Sequence, residues 1–285
     1  MSKLKENFSG YMFFMFALSS ISALTVITVF IFAEGIPLML DVGFFNFIFG
    51  TVWSPGTGQF GIFPMIIGSL AVTLGAAVVG VPFGICCAIF MAEFAPEWSK
   101  KIFRPTIQLL AGIPSVVYGF WGIIFIVPFI RENFGGSGFS VLAASLILGI
   151  MILPTIISIS EVSIIALPPT YKEGALALGM THWQVIRSVL LPAAKSGIVA
   201  AVILGMGRAI GETMAVIMVL GSAPIIPTSL LDSARTLTIN IGLEMAYAEG
   251  QHRQALFATG IVLFVIIMIL NVTAQYLTRN KLKKS

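Results

Sequence analysis

From Tyr11 to Ala33 the sequence runs without one Asp, Glu, Lys or Arg, and comparable apolar runs recur down the chain. About 20 consecutive apolar residues are enough to cross the hydrocarbon core of a bilayer as a helix. In that solvent each peptide group must find its hydrogen bond within the protein, and runs of this length meet the demand as helices. Six are readable, near residues 11–33, 63–92, 106–130, 139–160, 196–220 and 255–277. The first is too long for the apolar part of a cleaved leader, and no convincing small-x-small site follows it, so it is read as a membrane helix. Composition agrees: only 10% of residues are charged, against about 25% in soluble domains. The expected fold class is an all-α integral membrane protein with six transmembrane helices and lipid around it.

The formal net charge of +4 could suggest a nucleic-acid partner, but the basic residues stand in short clusters beside apolar runs, as topology signals do. No nucleic-acid binding is expected. Cys86 and Cys87 are adjacent in an apolar run, and His182 and His252 stand far apart without companion ligands, so no metal site is expected. No G-x-x-x-x-G-K-[ST] occurs, so the chain has no phosphate cradle for ATP and no cofactor of its own. Lys3, Lys5, Lys100, Lys101, Arg104, Lys172, Arg187, Lys195, Arg279, Lys281, Lys283 and Lys284 fall on one side of the six runs. Arg131, Arg235 and Arg253 fall on the other. Twelve against three places both termini in the cytoplasm.

The connector between the fourth and fifth runs lies on that same side and carries its own punctuation. Pro168-Pro169 ends what precedes it, and Thr170 stands three residues before Glu173, the spacing of a capping box. The spacing recurs at Thr181 and Gln184, Gly179 between them suits a left-handed helix end, and Pro192 closes the second piece. Residues 170–192 are therefore expected to form two short capped helices joined by a tight turn. Glu93 to Arg104 is expected to be a short loop on the same side. Trp53-Ser54-Pro55-Gly56-Thr57-Gly58 is a turn-rich segment on the opposite side, flanked by Phe44, Phe45, Phe47 and Phe49.

Glu173-Gly174-Ala175, three residues, Gly179, nine residues and Val189-Leu190-Leu191-Pro192 resemble the EAA motif of ABC-importer permeases, E-A-A-x3-G-x9-I-x-L-P. Gly174 stands for the first Ala and Val189 for Ile. In that family the motif docks on the ATP-hydrolysing subunit. The resemblance thus assigns coupling to Glu173, Gly174, Ala175, Gly179 and Pro192. Without it, the stretch reads as a solvated connector.

Two further places invite chemistry. Arg208 and Glu212 lie inside the fifth run, four residues apart, on one face if the helix is continuous. Charges at bilayer depth are costly and face protein or water. Gly205, Gly207 and Gly211 would allow close approach by a neighbouring helix or an unhydrated substrate. The pair is either a structural tie or a cation in an anion path, for which the planar guanidinium fork suits phosphate. In the third run Pro114 disfavours a helical Ile113 and frees carbonyls, with Ser115 and Tyr118 nearby. This is either a kink satisfied by neighbours or part of a path.

The segments AGIPSVVYGFWG, GRAIGETMAV and ARTLTINIGLEM, with the order of runs, are similar to the PstC family of permease subunits of phosphate-specific ABC importers. That resemblance covers nearly the whole chain and is weakest before about Trp53. It implies a type I importer permease fold and transport of inorganic phosphate, with Arg208 and Glu212 lining the path; Ser115 and Tyr118 are added to that path from the Pro114 break. It also implies a PstA-like permease, two PstB-like ATPase subunits that hold ATP and Mg, and a PstS-like phosphate-binding protein. The chain itself is expected to be no enzyme. Residues 1–62 form an N-terminal helix and extracytoplasmic segment, and residues 63–285 the permease core with coupling helices at 170–192. The rival readings are a permease for another oxyanion such as sulfate or molybdate, an ion-coupled secondary transporter, and a scaffold for phosphate signalling.

Overall fold

The computed structural model describes residues 2–282, with side chains described for 11–273 and 276. The basic tail at Lys283 and Lys284 lies outside the described residues. Helix α1 spans Ser2–Val42, α2 Phe44–Phe49, and a two-stranded hairpin joins Trp53–Ser54 (β1) to Gln59–Phe60 (β2). Then follow α3 at Phe63–Phe94, α4 at Glu97–Gly112, α5 at Ser115–Phe134 and α6 at Val141–Ile165. The second half holds α7 at Pro169–Ala177, α8 at His182–Gly211, α9 at Met214–Val219, α10 at Leu237–Glu244 and α11 at Gly250–Leu282. Six of these helices, α1, α3, α5, α6, α8 and α11, are long and apolar enough to span a membrane.

Helix α6 is the hub, with apolar side chains buried all round it from Val141 to Ile164. Lipid offers no hydrophobic gain for pushing one helix onto another, so close van der Waals packing over small residues has to do the work. On α3, Gly75 lies against Ser145, Gly80 against Ile152 and the Gly149 carbonyl, and Gly84 against Ile156. Gly205 of α8 meets the same Ile156 from the other side. A second cluster joins Leu38 and Met39 of α1 to Leu256, Ala258 and Ile261 of α11, and reaches Phe47, Trp53 and Phe60.

Several expectations change. Glu93–Arg104 is not a loop. Helix α3 closes in a π-turn at Phe90–Phe94, and α4 is already helical from Glu97. Amphipathicity explains this: Lys100, Lys101 and Arg104 interrupt the apolar run without breaking the helical period. The fifth run does not continue to Leu220. It stops at Gly211, because Glu212 is extended (φ −73°, ψ 131°), so Arg208 and Glu212 do not share a helix face. Pro192 ends nothing. It follows a π-turn at Ile186–Leu190, sits where its missing N–H costs little, and α8 runs through it. The Thr170–Glu173 capping box does not form, because Pro168 and not Thr170 is the N-cap, and Glu173 is exposed. Of the three glycines around Arg208, Gly205 is in contact, while a Cβ on Gly207 or Gly211 would meet nothing within 4 Å.

Replacing Gly80 by Val should cost about 1–3 kcal/mol, since its Cβ would press on a backbone carbonyl of α6. Gly207→Ala should stay within about 0.5 kcal/mol of the native chain. Thermal unfolding in detergent measures both. Equal melting of Gly80→Val and the native chain would contradict the α3–α6 contact.

Candidate functional site

The backbone breaks twice, each time at the end of a span candidate, before Ser115 and after Gly211. The first break is Ile113–Pro114: Ile113 is extended (φ −67°, ψ 127°), and α5 restarts at Ser115. The Tyr118 hydroxyl donates back to the Leu110 carbonyl at 2.9 Å, satisfying one of the acceptors that the end of α4 leaves free. Tyr118 is buried and Ser115 half-buried. An apolar cavity of about 250 Å³, lined by Ile113, Val117, Tyr118, Trp121 and Ile150, opens beside this corner.

The second break is Glu212–Thr213. The Glu212 carboxylate accepts the Ala215 N–H at 3.2 Å, which caps α9, and the Glu212 carbonyl accepts the Thr238 hydroxyl at 3.0 Å. The two breaks meet. Gly119, next to Tyr118, lies against Ala215 and Met218 of α9, and Gly122 against Val219. The structure thus brings Tyr118 of α5 and the Glu212 break to one region, with Ser115 one turn of α5 from Tyr118 and Arg208 in the last turn of α8 before the break.

Arg208 is exposed on this chain, and among the described residues it makes no ion pair. It stands thirteen residues beyond Lys195, about 20 Å along the helix at 1.5 Å per residue. A guanidinium at that depth has to face protein or water.

The expected coupling stretch also stands apart. Gly179 takes φ +81°, and beyond it Thr181 and Gln184 complete a reciprocal cap, at 2.8 Å and 3.3 Å. Ala175, Val185, Ile186 and Leu190 form its small core with Ile89 of α3. Tyr171, Leu176, Leu178 and Trp183 point outward, Leu178 at 86% exposure. Glu173, Gly174 and Pro192 are exposed as well.

Three ion clusters escaped the sequence reading. Glu244, only 7% exposed, takes Arg235 on one oxygen at 2.6 Å, and Trp53 at 2.9 Å and His252 at 2.8 Å on the other. Arg235 also holds the Asn240 amide oxygen and the Ser222 carbonyl, the latter at a residue with φ +60°. Nearby, the Ser229 amide and the Thr228 hydroxyl and amide hold the Asp232 carboxyl below the usual aspartate range. Glu161, 6% exposed, takes Arg104 at 2.8 Å, and Glu93 takes Lys172 at 2.6 Å. Trp53 and Glu244 are 191 residues apart, so spacing could not reveal them. Glu161 borders an apolar run, and that position was the available signal.

Residues 80–283 match the family of binding-protein-dependent transport system inner membrane components. The chain belongs to this family. It is 43% identical over 272 residues to the probable ABC transporter permease protein YqgH of Bacillus subtilis, covering 93% of this chain and 88% of that one. It is 36% identical over 256 residues to the phosphate transport system permease protein PstC of Haemophilus influenzae, covering 82% and 81%. The fold matches an inward-facing MetNI methionine ABC transporter at 19% identity and TM-score 0.62, over 80% of this chain and 99% of that one. It also matches a bacterial alginate ABC transporter at 17% identity and TM-score 0.57, over 93% and 94%. The protein is thus a multi-pass inner-membrane permease with the type I ABC importer fold.

Within this permease the Tyr118 hydroxyl should be worth about 1 kcal/mol to the α4–α5 corner. Tyr118→Phe should lower thermal stability in detergent by that amount. An unchanged melting curve would show that the Leu110 carbonyl is satisfied otherwise.

Proposed function

We propose that the permease carries inorganic phosphate into the cytoplasm as one half of an ATP-driven importer. Its companions are a PstA-like permease, two PstB-like ATPases that hold ATP and Mg, and a PstS-like phosphate-binding protein. The observation that carries the reading is Arg208, an exposed guanidinium with no ion pair among the described residues, in the last turn of α8 before the break at Glu212. Phosphate shedding its water needs a fixed positive charge with paired donors, which a guanidinium supplies. The likeness to PstC permeases supports phosphate over sulfate or molybdate.

The direction follows from the charge count. Lys172, Lys195 and Arg104 lie at the end of the molecule where α3 and α6 finish, and Arg235 lies at the other end beside Trp53. With the positive end in the cytoplasm, residues 170–192 face the ATPases. Glu173, Gly174, Ala175, Gly179 and Pro192 belong to the docking element, whose outward Leu176, Leu178 and Trp183 would enter a groove on the ATPase. Closure of the ATPases on ATP moves this element and opens the outer gate, and hydrolysis resets the inward-facing form. An ion-coupled relay through Arg208 and Glu212 fits less well, because the Glu212 carboxylate is spent on capping α9.

Arg208→Gln should lower phosphate uptake by the reconstituted complex by roughly ten- to a hundredfold, the loss of a charged hydrogen bond of about 1.5–3 kcal/mol. Arg208→Lys should fall between, since it keeps the charge and loses the fork. The double variant Arg208→Gln with Glu212→Gln should assemble and stay inactive. Near-normal uptake by the double variant, normalised to complex recovered, would contradict the path reading.

A further inference from the structure

The docking element has to hand its motion to the membrane-spanning body, and the structure offers one polar connection for this. Among the described side chains, Lys172 and His182 are the members of residues 169–185 that reach a charged group outside that stretch. They reach the same atom. Glu93 Oε2 takes Lys172 Nζ at 2.6 Å and lies 3.4 Å from His182 Nε2. Lys172 belongs to α7 and His182 opens α8, so one carboxylate bonds the first arm of the turn at Gly179 and lies against the second. The Glu93 side chain is only 11% exposed. The Phe94 ring packs on the His182 ring at a tilt of 32°, centroids 5.1 Å apart, and Ile89 enters the small core of the element with Ala175, Val185 and Ile186.

Glu93 sits in the last turn of α3, and α3 is a helix without interruption from Phe63, through Pro82, to the π-turn that carries Glu93. At the far end Ser69 accepts the Leu237 N–H at 2.9 Å, and Gly68 lies against the Arg235 carbonyl. From Ser69 to Glu93 is about 36 Å at 1.5 Å per residue. One stiff element therefore joins the docking stretch to the segment that Arg235 and Glu244 hold together. Its contacts with α6 run through Gly75, Gly80 and Gly84, where close packing passes displacement on instead of absorbing it.

We propose that Glu93 is the joint of the importer: its carboxylate carries the movement of the docking element into α3, and α3 delivers it to the segment between α9 and α10. The proposal rests on the docking reading of residues 170–192. Glu93 is a positioning residue and touches no substrate. Removing its charge should leave the ATPases bound and able to hydrolyse ATP, while the work done per ATP falls.

The test uses the complete complex in liposomes, with permease pair, ATPases and binding protein. Radiolabelled phosphate, sulfate and molybdate are first compared on the native complex, and the anion carried is then used throughout. ATPase recovery, ATP hydrolysis and anion uptake are measured for each variant. For Glu93→Gln the ATPases should co-purify in native amount, and anions carried per ATP should fall about tenfold, within the range of coupling between sites. Exchanging the charges, Glu93→Lys with Lys172→Glu, should recover most of the ratio, which a variant that merely folds badly would not do. A native ratio in Glu93→Gln overturns the proposal. So does loss of the ATPases from that variant, which would make Glu93 part of the docking surface. So does a charge exchange no better than the single change. Gly179→Val, strained at φ +81° where a β-branched residue does not fit, is the separate control. If it keeps ATPase binding and the native ratio, the docking reading fails on its own variant and independently of Glu93.

Discussion

A peptide group freed in hydrocarbon finds no water, so each break in a spanning helix must be answered by protein atoms. This permease breaks twice, and the answers tie distant parts of the chain together. The Tyr118 hydroxyl, eight residues on, closes the end of α4. Thr238, on α10, and the side chain of Glu212 close the end of α8 and the start of α9. These bonds fix where Arg208 stands. Its neighbour Glu212 is drawn into the backbone, and among the described residues no carboxylate pairs with the guanidinium. A charge at that depth with no such partner is an expense that a transport path would justify.

The rest of the molecule supports those breaks. Helix α6 sits at the centre and takes α3 on one side through glycines and α8 on the other through Gly205. The segment after α9 folds back so that Leu230 and Asp232 carbonyls receive the Leu142 and Val141 N–H groups that open α6. Arg235 then locks this segment to the Ser222 carbonyl and to Glu244, which also accepts the Trp53 indole N–H. Among the described residues the ion pairs lie toward the two ends of the bundle, and the α3–α6 contact between them is packed by glycines against Ser145, Ile152 and Ile156.

The six spans were legible because apolar length and charge spacing are local properties. The turn at Gly179 and the cap at Thr181 were legible for the same reason. The cap at Thr170 failed because Pro168, already extended, starts the helix two residues earlier. The continuous face expected for Arg208 and Glu212 failed because helical spacing says nothing about where a glycine-rich helix stops. Gly211 ends α8, and Thr238 and the capping bond make that stop stable. The Glu244 and Glu93 clusters could not be read at all, since they join residues 191 and 79 positions apart. Such partners are set by the packing of α3, α7, α10 and α11, which no single stretch encodes.

The most direct measurement is a structure of the whole complex in membrane mimetic, with phosphate and a non-hydrolysed nucleotide bound. The account predicts phosphate density between the two permeases, within hydrogen-bonding reach of the Arg208 guanidinium and beside the Tyr118 and Glu212 breaks. Phosphate held elsewhere, with Arg208 paired to a carboxylate of the second permease, would contradict it and make Arg208 a tie between subunits.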